Sequence, residues 1–189
     1  GRGAECLGSD TGRGMSDRGG QQDMESAFGR CPRLFRAVES IPGLTWPTIT
    51  FPDQMSVWLG RREVRITHIG RGHTAGDVIA VVPDSGVVFS GDLVEYKSAC
   101  YCGDAHFTDW PATLENLAQL RATALVPGRG AALMTPQMVA EGIEMTSDFI
   151  STLYTSVQES VAKGRSLTDA FDFARLAMDR KFKTFAIYE

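Results

Sequence analysis

Three short stretches pair glycine with side chains that can do chemistry: Gly70 to Asp77 (GRGHTAGD), Phe89 to Leu93 (FSGDL) and Val126 to Gly130 (VPGRG). Each closes an apolar run. Loops at strand ends, held by a rigid sheet, are the usual location of binding groups, and glycine lets the backbone bend tightly beneath a ligand. His73 offers an imidazole nitrogen and Asp92 a carboxylate oxygen, the donor types a divalent cation takes. Taken singly, His73 is better explained as a loop histidine bonded to backbone, and Asp92 as a turn or helix cap. Asp77 could orient His73 from behind or cap the next element. Convergence of the three stretches at one end of a sheet is the expectation that gives them a common purpose.

The other chemically able residues carry less. His68 falls in phase with Val64 and Ile66 and reads as a satisfied core histidine rather than a ligand. His106, in CGDAHFTDW, lies past the Asp92 strand and is a candidate for substrate contact at the site opening, against the plainer reading of a surface histidine. Glu95 and Tyr96 follow Asp92 closely enough to line a pocket, although no spacing rule requires it. Cys100 and Cys102 alternate in a way that points their thiols apart, and with Cys6 and Cys31 they read as reduced bystanders rather than a metal or disulfide set. Trp46, Trp58 and Trp110 read as packing residues.

Elements must position these groups. The chain from Met55 to His68 alternates apolar and polar residues on either side of Gly60 to Arg62, the pattern of a β-hairpin. DVIAVVP and VVFSGD are short apolar runs separated by a DSG turn, so they read as sheet strands covered on one or both faces. Asp109 stands where an N-cap belongs, ahead of a helix with Pro111 in its first turn and Leu114, Leu117 and Leu120 on one side. ALVPGRG gives a further strand. A long amphipathic helix follows from about Pro136 to Ala162, with Val139, Ile143, Thr146, Ile150, Leu153, Val157 and Val161 as its stripe and Gly164 as its stop. A last helix begins at Ser166, with Leu167, Ala170, Phe171, Ala174 and Met178 on one side. Residues 1–27 read as a flexible or interrupted segment, and Phe28 to Ser40 permits a short helix. Strands, a helix, a strand and then helices argue for a layered α/β domain over 28–189.

The 189 residues carry a net charge of -4 with Lys and Arg scattered, which makes nucleic acid and anionic membrane poor partners. No apolar run reaches the ~20 residues of a membrane-spanning helix, and the N-terminus lacks the apolar core of a secretory signal, so the expectation is a soluble, cytoplasmic protein. The stripe on the long helix could support a homodimer or simply cover the sheet.

In this order and spacing, GHTAGD followed by a strand pair and FSGD resembles the second half of the metallo-β-lactamase superfamily. The likeness runs from about Val57 to the end, and the downstream ALVPGRG loop and TPQMVAEGIEM helix are similar to glyoxalase II-like members. The resemblance implies an αββα sandwich, incomplete at the N-terminus and with C-terminal helices. It also implies that His73 and Asp92 are metal ligands. Zn²⁺, or another divalent ion such as Fe or Mn, is the implied cofactor, and the residue at position 129 favours one ion over two.

Two departures qualify the likeness. The family's HxHxDH signature, which ordinarily supplies most ligands of the first metal, has no counterpart among the three histidines of this chain and would lie upstream. Arg129 stands where many members carry the histidine of a PGHG loop, and a guanidinium cannot ligate a cation. Arg129 could instead hold a substrate carboxylate, phosphate or sulfonate, or form an ion pair with a buried acid such as Asp92. The expected activity is metal-dependent hydrolysis of an ester, thioester, lactone or similar bond in a small molecule, anionic if Arg129 binds it, with Asp92 the catalytic carboxylate. The alternative is a noncatalytic binding module of the same fold that has lost its metal site.

Overall fold

The computed structural model describes residues 49–188. The segment 1–27, the helix expected from Phe28 to Ser40, and Cys6, Cys31 and Trp46 lie outside the described residues. β1 (Gln54–Leu59) and β2 (Arg62–Thr67) form the expected antiparallel hairpin, turning at Gly60, whose φ of 66° suits a residue without Cβ. β3 (Ile79–Val82) and β4 (Val87–Glu95) add antiparallel strands, and β5 (Ala124–Arg129) joins β4 in parallel. Strand order follows the chain, β1-β2-β3-β4-β5.

The parallel pair needs a crossover, which α1 (Trp110–Gln119) supplies. α2 (Pro136–Ala162) and α3 (Leu167–Phe182) follow, with α2 packed on β4, β5, α1 and α3. Burial alternates along the first part of β4, where Val88 is buried, Phe89 is 46% exposed and Ser90 is buried, and beyond it Leu93, Val94 and Glu95 are all buried. Helices therefore cover one face of the sheet. The described residues make one β layer and one α layer, the arrangement of an incomplete αββα sandwich. Its core joins Ile79, Val88, Leu93 and Leu125 of the sheet to Trp110, Leu114 and Leu117 of α1 and to Val139 and Ile150 of α2. A second cluster, Ala99, Phe149, Met178 and Phe182, fastens α3 to α2.

The structure corrects several expected details. β4 does not end at Asp92 but continues to Glu95, with register shifts against β5 at Phe89/Gly91 and Gly91/Glu95. Asp109 occupies the N-cap position of α1 without bonding a helix N–H, because its carboxylate is engaged by Arg71 (Nε 2.7 Å). Leu120 falls beyond the helix and is 44% exposed. Trp58 is 64% exposed rather than packed. On α2 the expected stripe holds as far as Ile150, then Val157 and Val161 turn outward while Ser156 and Ser160 are buried. The stripe keeps helical phase, so the change comes from what packs on α2: its first half lies on the sheet and α1, while further along its neighbour is α3. On α3 the buried set is Ala174, Met178 and Phe182, with Leu167 and Phe171 exposed.

Candidate functional site

His73 sits in the β2–β3 connection, which is pinned on every side. α1 reaches it through Thr113, whose hydroxyl donates to the Arg71 carbonyl (2.6 Å), and Asn116, whose amide donates to that of Ile69 (2.9 Å). The His106 N–H donates to the Gly72 carbonyl at 2.8 Å. Asp77 turns its carboxylate back onto Thr74, accepting from the backbone N–H at 3.0 Å and the hydroxyl at 2.6 Å. His68 is half-buried with Nδ1 2.7 Å from the Asp77 carbonyl, the satisfied histidine expected. Gly72 is required by closeness: a Cβ there would meet Leu93 Cδ2 at 2.5 Å and Trp110 Cδ1 at 2.9 Å. The Trp110 ring is fully buried, donates Nε1–H to the Leu93 carbonyl (3.1 Å), and meets the His73 ring edge-on at 6.0 Å. Tyr101 flanks the same imidazole at 6.0 Å.

These contacts leave one nitrogen over. His73 Nε2 is buried without a hydrogen-bond partner, 3.7 Å from Asp92 Oδ2. Asp92 is delivered by the irregular stretch of β4, where Gly91 has φ 53°. Gly128 on β5 lies so close beneath that a Cβ would collide with the Asp92 carboxylate and backbone. Gly128 thus permits the close approach of β5 to Asp92, whereas Gly91 supplies a positive φ and Gly130 a close pass beneath the Tyr96 carbonyl.

Arg129 is the third member. Its Nη1 donates to Glu95 Oε1 at 2.6 Å and lies 3.9 Å from Asp92 Oδ1. Of the two roles open to it, an ion pair with a buried acid is observed, yet the principal acid is Glu95 rather than Asp92. The Glu95 side chain is wholly buried and its Oε2 lacks a partner. Burial pushes this carboxyl up to about 7; Arg129 opposes the rise and the neighbouring Asp92 carboxylate adds to it. The backbone around Glu95 is held by Thr146 of α2, whose hydroxyl accepts from the Glu95 N–H and lies 3.1 Å from its carbonyl. Sequence reasoning gave Glu95 no definite role; an acid inside the otherwise apolar LVEY run was the signal that marks it.

His73, Asp92 and Arg129 therefore converge as expected. Asp77 acts on the loop through Thr74 rather than on the His73 ring, and His106 meets the site loop through its backbone. Cys100 and Cys102 are half-buried free thiols; burial pushes Cys102 up to about 11 and Cys100 further, which keeps both protonated and poor as ligands.

An orphaned buried imidazole nitrogen facing a carboxylate fits a divalent cation. The fit is partial: among the described residues no group of three or more His, Cys, Asp or Glu could hold an ion, and two donors fall short of the usual four. The fixed positive charge of Arg129 beside Asp92 opposes a second ion.

No family model matches the chain. A type 2 metallo-β-lactamase of Bacteroides fragilis is 30% identical over 116 residues, covering 56% of this chain and 47% of that protein. The metallo-β-lactamase IND-1 of Chryseobacterium indologenes is 33% identical over 75 residues, or 37% of this chain and 31% of the relative. The chain spans about half the length, or less, of these curated relatives. A solved metallo-β-lactamase from Pontibacter korlensis shares the fold, with a TM-score of 0.50 at 23% identity over 67% of this chain and 62% of that one. The curated relatives support membership of the metallo-β-lactamase superfamily, and the solved structure shares its fold.

Proposed function

We propose that the protein is a metal-dependent hydrolase acting on an ester, thioester, lactone or similar bond of a small anionic molecule. The observation that carries this reading is the unpartnered, buried His73 Nε2 held 3.7 Å from the Asp92 carboxylate. Leaving such a nitrogen without a partner costs about 1–3 kcal/mol, a cost that a cation removes. His73 and Asp92 hold one ion, Zn²⁺ or a similar divalent metal, with further donors completing its shell. When bound, such an ion polarises a carbonyl and lowers the pKa of water toward ~7.

The chain's own residues supply the rest. Asp92, with its side chain 37% exposed, is placed to orient the attacking water and accept its proton. Arg129 is 39% exposed and fixed by Glu95, so its guanidinium can also face an anionic group of the substrate or negative charge developing beside Asp92. The apolar wall of Trp110 behind His73 limits water there and fixes the ring.

Elemental analysis of the purified intact protein tests the proposal. The expected result is a bound divalent ion, with His73→Ala lowering metal content and hydrolysis of a simple aryl ester together. A protein that takes up no divalent ion from metal-replete medium, or an alanine variant with undiminished metal content, overturns it.

A further inference from the structure

A cavity of about 710 Å³ opens beside Arg129 and Tyr101, between the Ala99–Tyr101 stretch and the α2–α3 pair. That volume lies within the roughly 300–1,000 Å³ usual for small-molecule sites. Its floor is apolar, made by Phe149 and Leu153 of α2 and Ala174 and Met178 of α3. Its far rim is set by residues spaced four apart, Phe171, Arg175 and Asp179 of α3 and Lys183 at its C-cap, which helical geometry places on one face. Arg175 and Lys183 outnumber the single carboxylate of Asp179, and that carboxylate already accepts the Tyr188 hydroxyl at 2.9 Å. The partner Arg175 does have, Asp172, is exposed and 3.6 Å away, a contact of small worth.

The walls are tied together. The segment after α3 folds back on the Asp92 strand's exit, where the Ala99 N–H donates to the Ala186 carbonyl (2.9 Å) and the Ala186 N–H to that of Lys97 (3.0 Å). This brings Ile187 and Tyr188 over the cavity, while Tyr101 connects it to His73.

We propose that this cavity binds an amphipathic anion, its apolar body on Phe149, Leu153 and Met178 and its charged end on Arg175 and Lys183. The inference deepens the hydrolase reading and rests on it for the word substrate: the bond to be cleaved lies toward Asp92, and the anionic group lies at the other end of the molecule. Selection follows from both parts. A short neutral ester leaves the apolar floor wet, and a neutral chain of equal length offers no anion to Lys183 and the weakly paired Arg175.

Calorimetric titration of the intact, chelator-treated protein with octanoate and octanamide tests the cavity without calling on a metal. Octanoate is expected to bind about tenfold or more tighter than octanamide, the order expected of charge-assisted hydrogen bonds. Replacing both cations (Arg175→Gln with Lys183→Gln) is expected to bring octanoate to the octanamide level, and Ala174→Trp, which fills the cavity, to abolish binding of both without changing metal content. Equal affinity for the two probes, indifference to the double substitution, or octanoate binding that appears only with metal restored would overturn the proposal. Metal uptake with ester hydrolysis but no octanoate preference sinks the cavity alone, whereas octanoate binding in a protein that never takes up metal sinks the hydrolase alone.

Discussion

Removing the Arg129 side chain strands a wholly buried carboxyl. Glu95 Oε1 loses its 2.6 Å donor while Oε2 already has none, so Arg129→Ala is expected to cost about 2–3 kcal/mol in urea unfolding. The further change Glu95→Gln in the same chain should recover part of that loss, since a neutral amide tolerates burial better than a lone carboxylate. A loss below about 0.5 kcal/mol, the ordinary range of surface substitutions, would mean the pair contributes nothing structural. This residue was the least legible in the sequence. Arg129 was singled out because glycines flank it, but its partner is three positions past Asp92 on a strand expected to have ended. Only the irregular pairing of β4, which keeps the chain extended to Glu95, brings that carboxyl under the guanidinium.

At the scale of the element, the β2–β3 connection is positioned by contact rather than by its own conformation. Gly72→Ala is expected to cost roughly 1–3 kcal/mol by overpacking, because its Cβ would press on Leu93 and Trp110 across the sheet–helix seam. Thermal unfolding measures the loss. The same change should displace His73, seen as an altered imidazole resonance, and a variant with wild-type melting and an unmoved His73 signal would show that the seam has slack. Much of this scale was readable in advance. Alternation gave the β1–β2 hairpin, and helix starts were read near Pro111, Pro136 and Ser166; the structure adds Thr135 as the N-cap of α2, accepting from the Met138 N–H, while Ser166 accepts from the Asp169 N–H. The outward turn of Val157 and Val161 was not, since it depends on where α3 lies along α2.

For the whole molecule, two clusters divide the labour. The larger joins the sheet to α1 and the first half of α2, and carries His73 and Asp92; the smaller joins α2 to α3 and walls the cavity. Phe149 is the hinge of the smaller one, with ring centroids 5.0 Å from Phe182 and 6.3 Å from Phe185. Phe149→Ala is expected to cost about 3–5 kcal/mol. Hydrogen exchange should then quicken along α3 and the 97–99 stretch while amides of β4 and α1 stay protected. Equal loss of protection in both regions would show a single cooperative unit instead.

The sequence by itself determined the local facts: which runs alternate, where helices begin, that no apolar run reaches the length of a membrane-spanning helix, and that His73, Asp92 and Arg129 sit in glycine-rich segments after apolar ones. Those follow from periodicity and from the conformational freedom of glycine, both properties of neighbouring residues. Tertiary structure decided the rest: that His73 Nε2 is left unpartnered facing Asp92, that Arg129 belongs first to Glu95, and that α3 lays Arg175 and Lys183 along a cavity beginning at the same guanidinium. These depend on pairs 19 to 54 positions apart in the chain, whose meeting is set by strand register and helix packing and leaves no mark on local spacing.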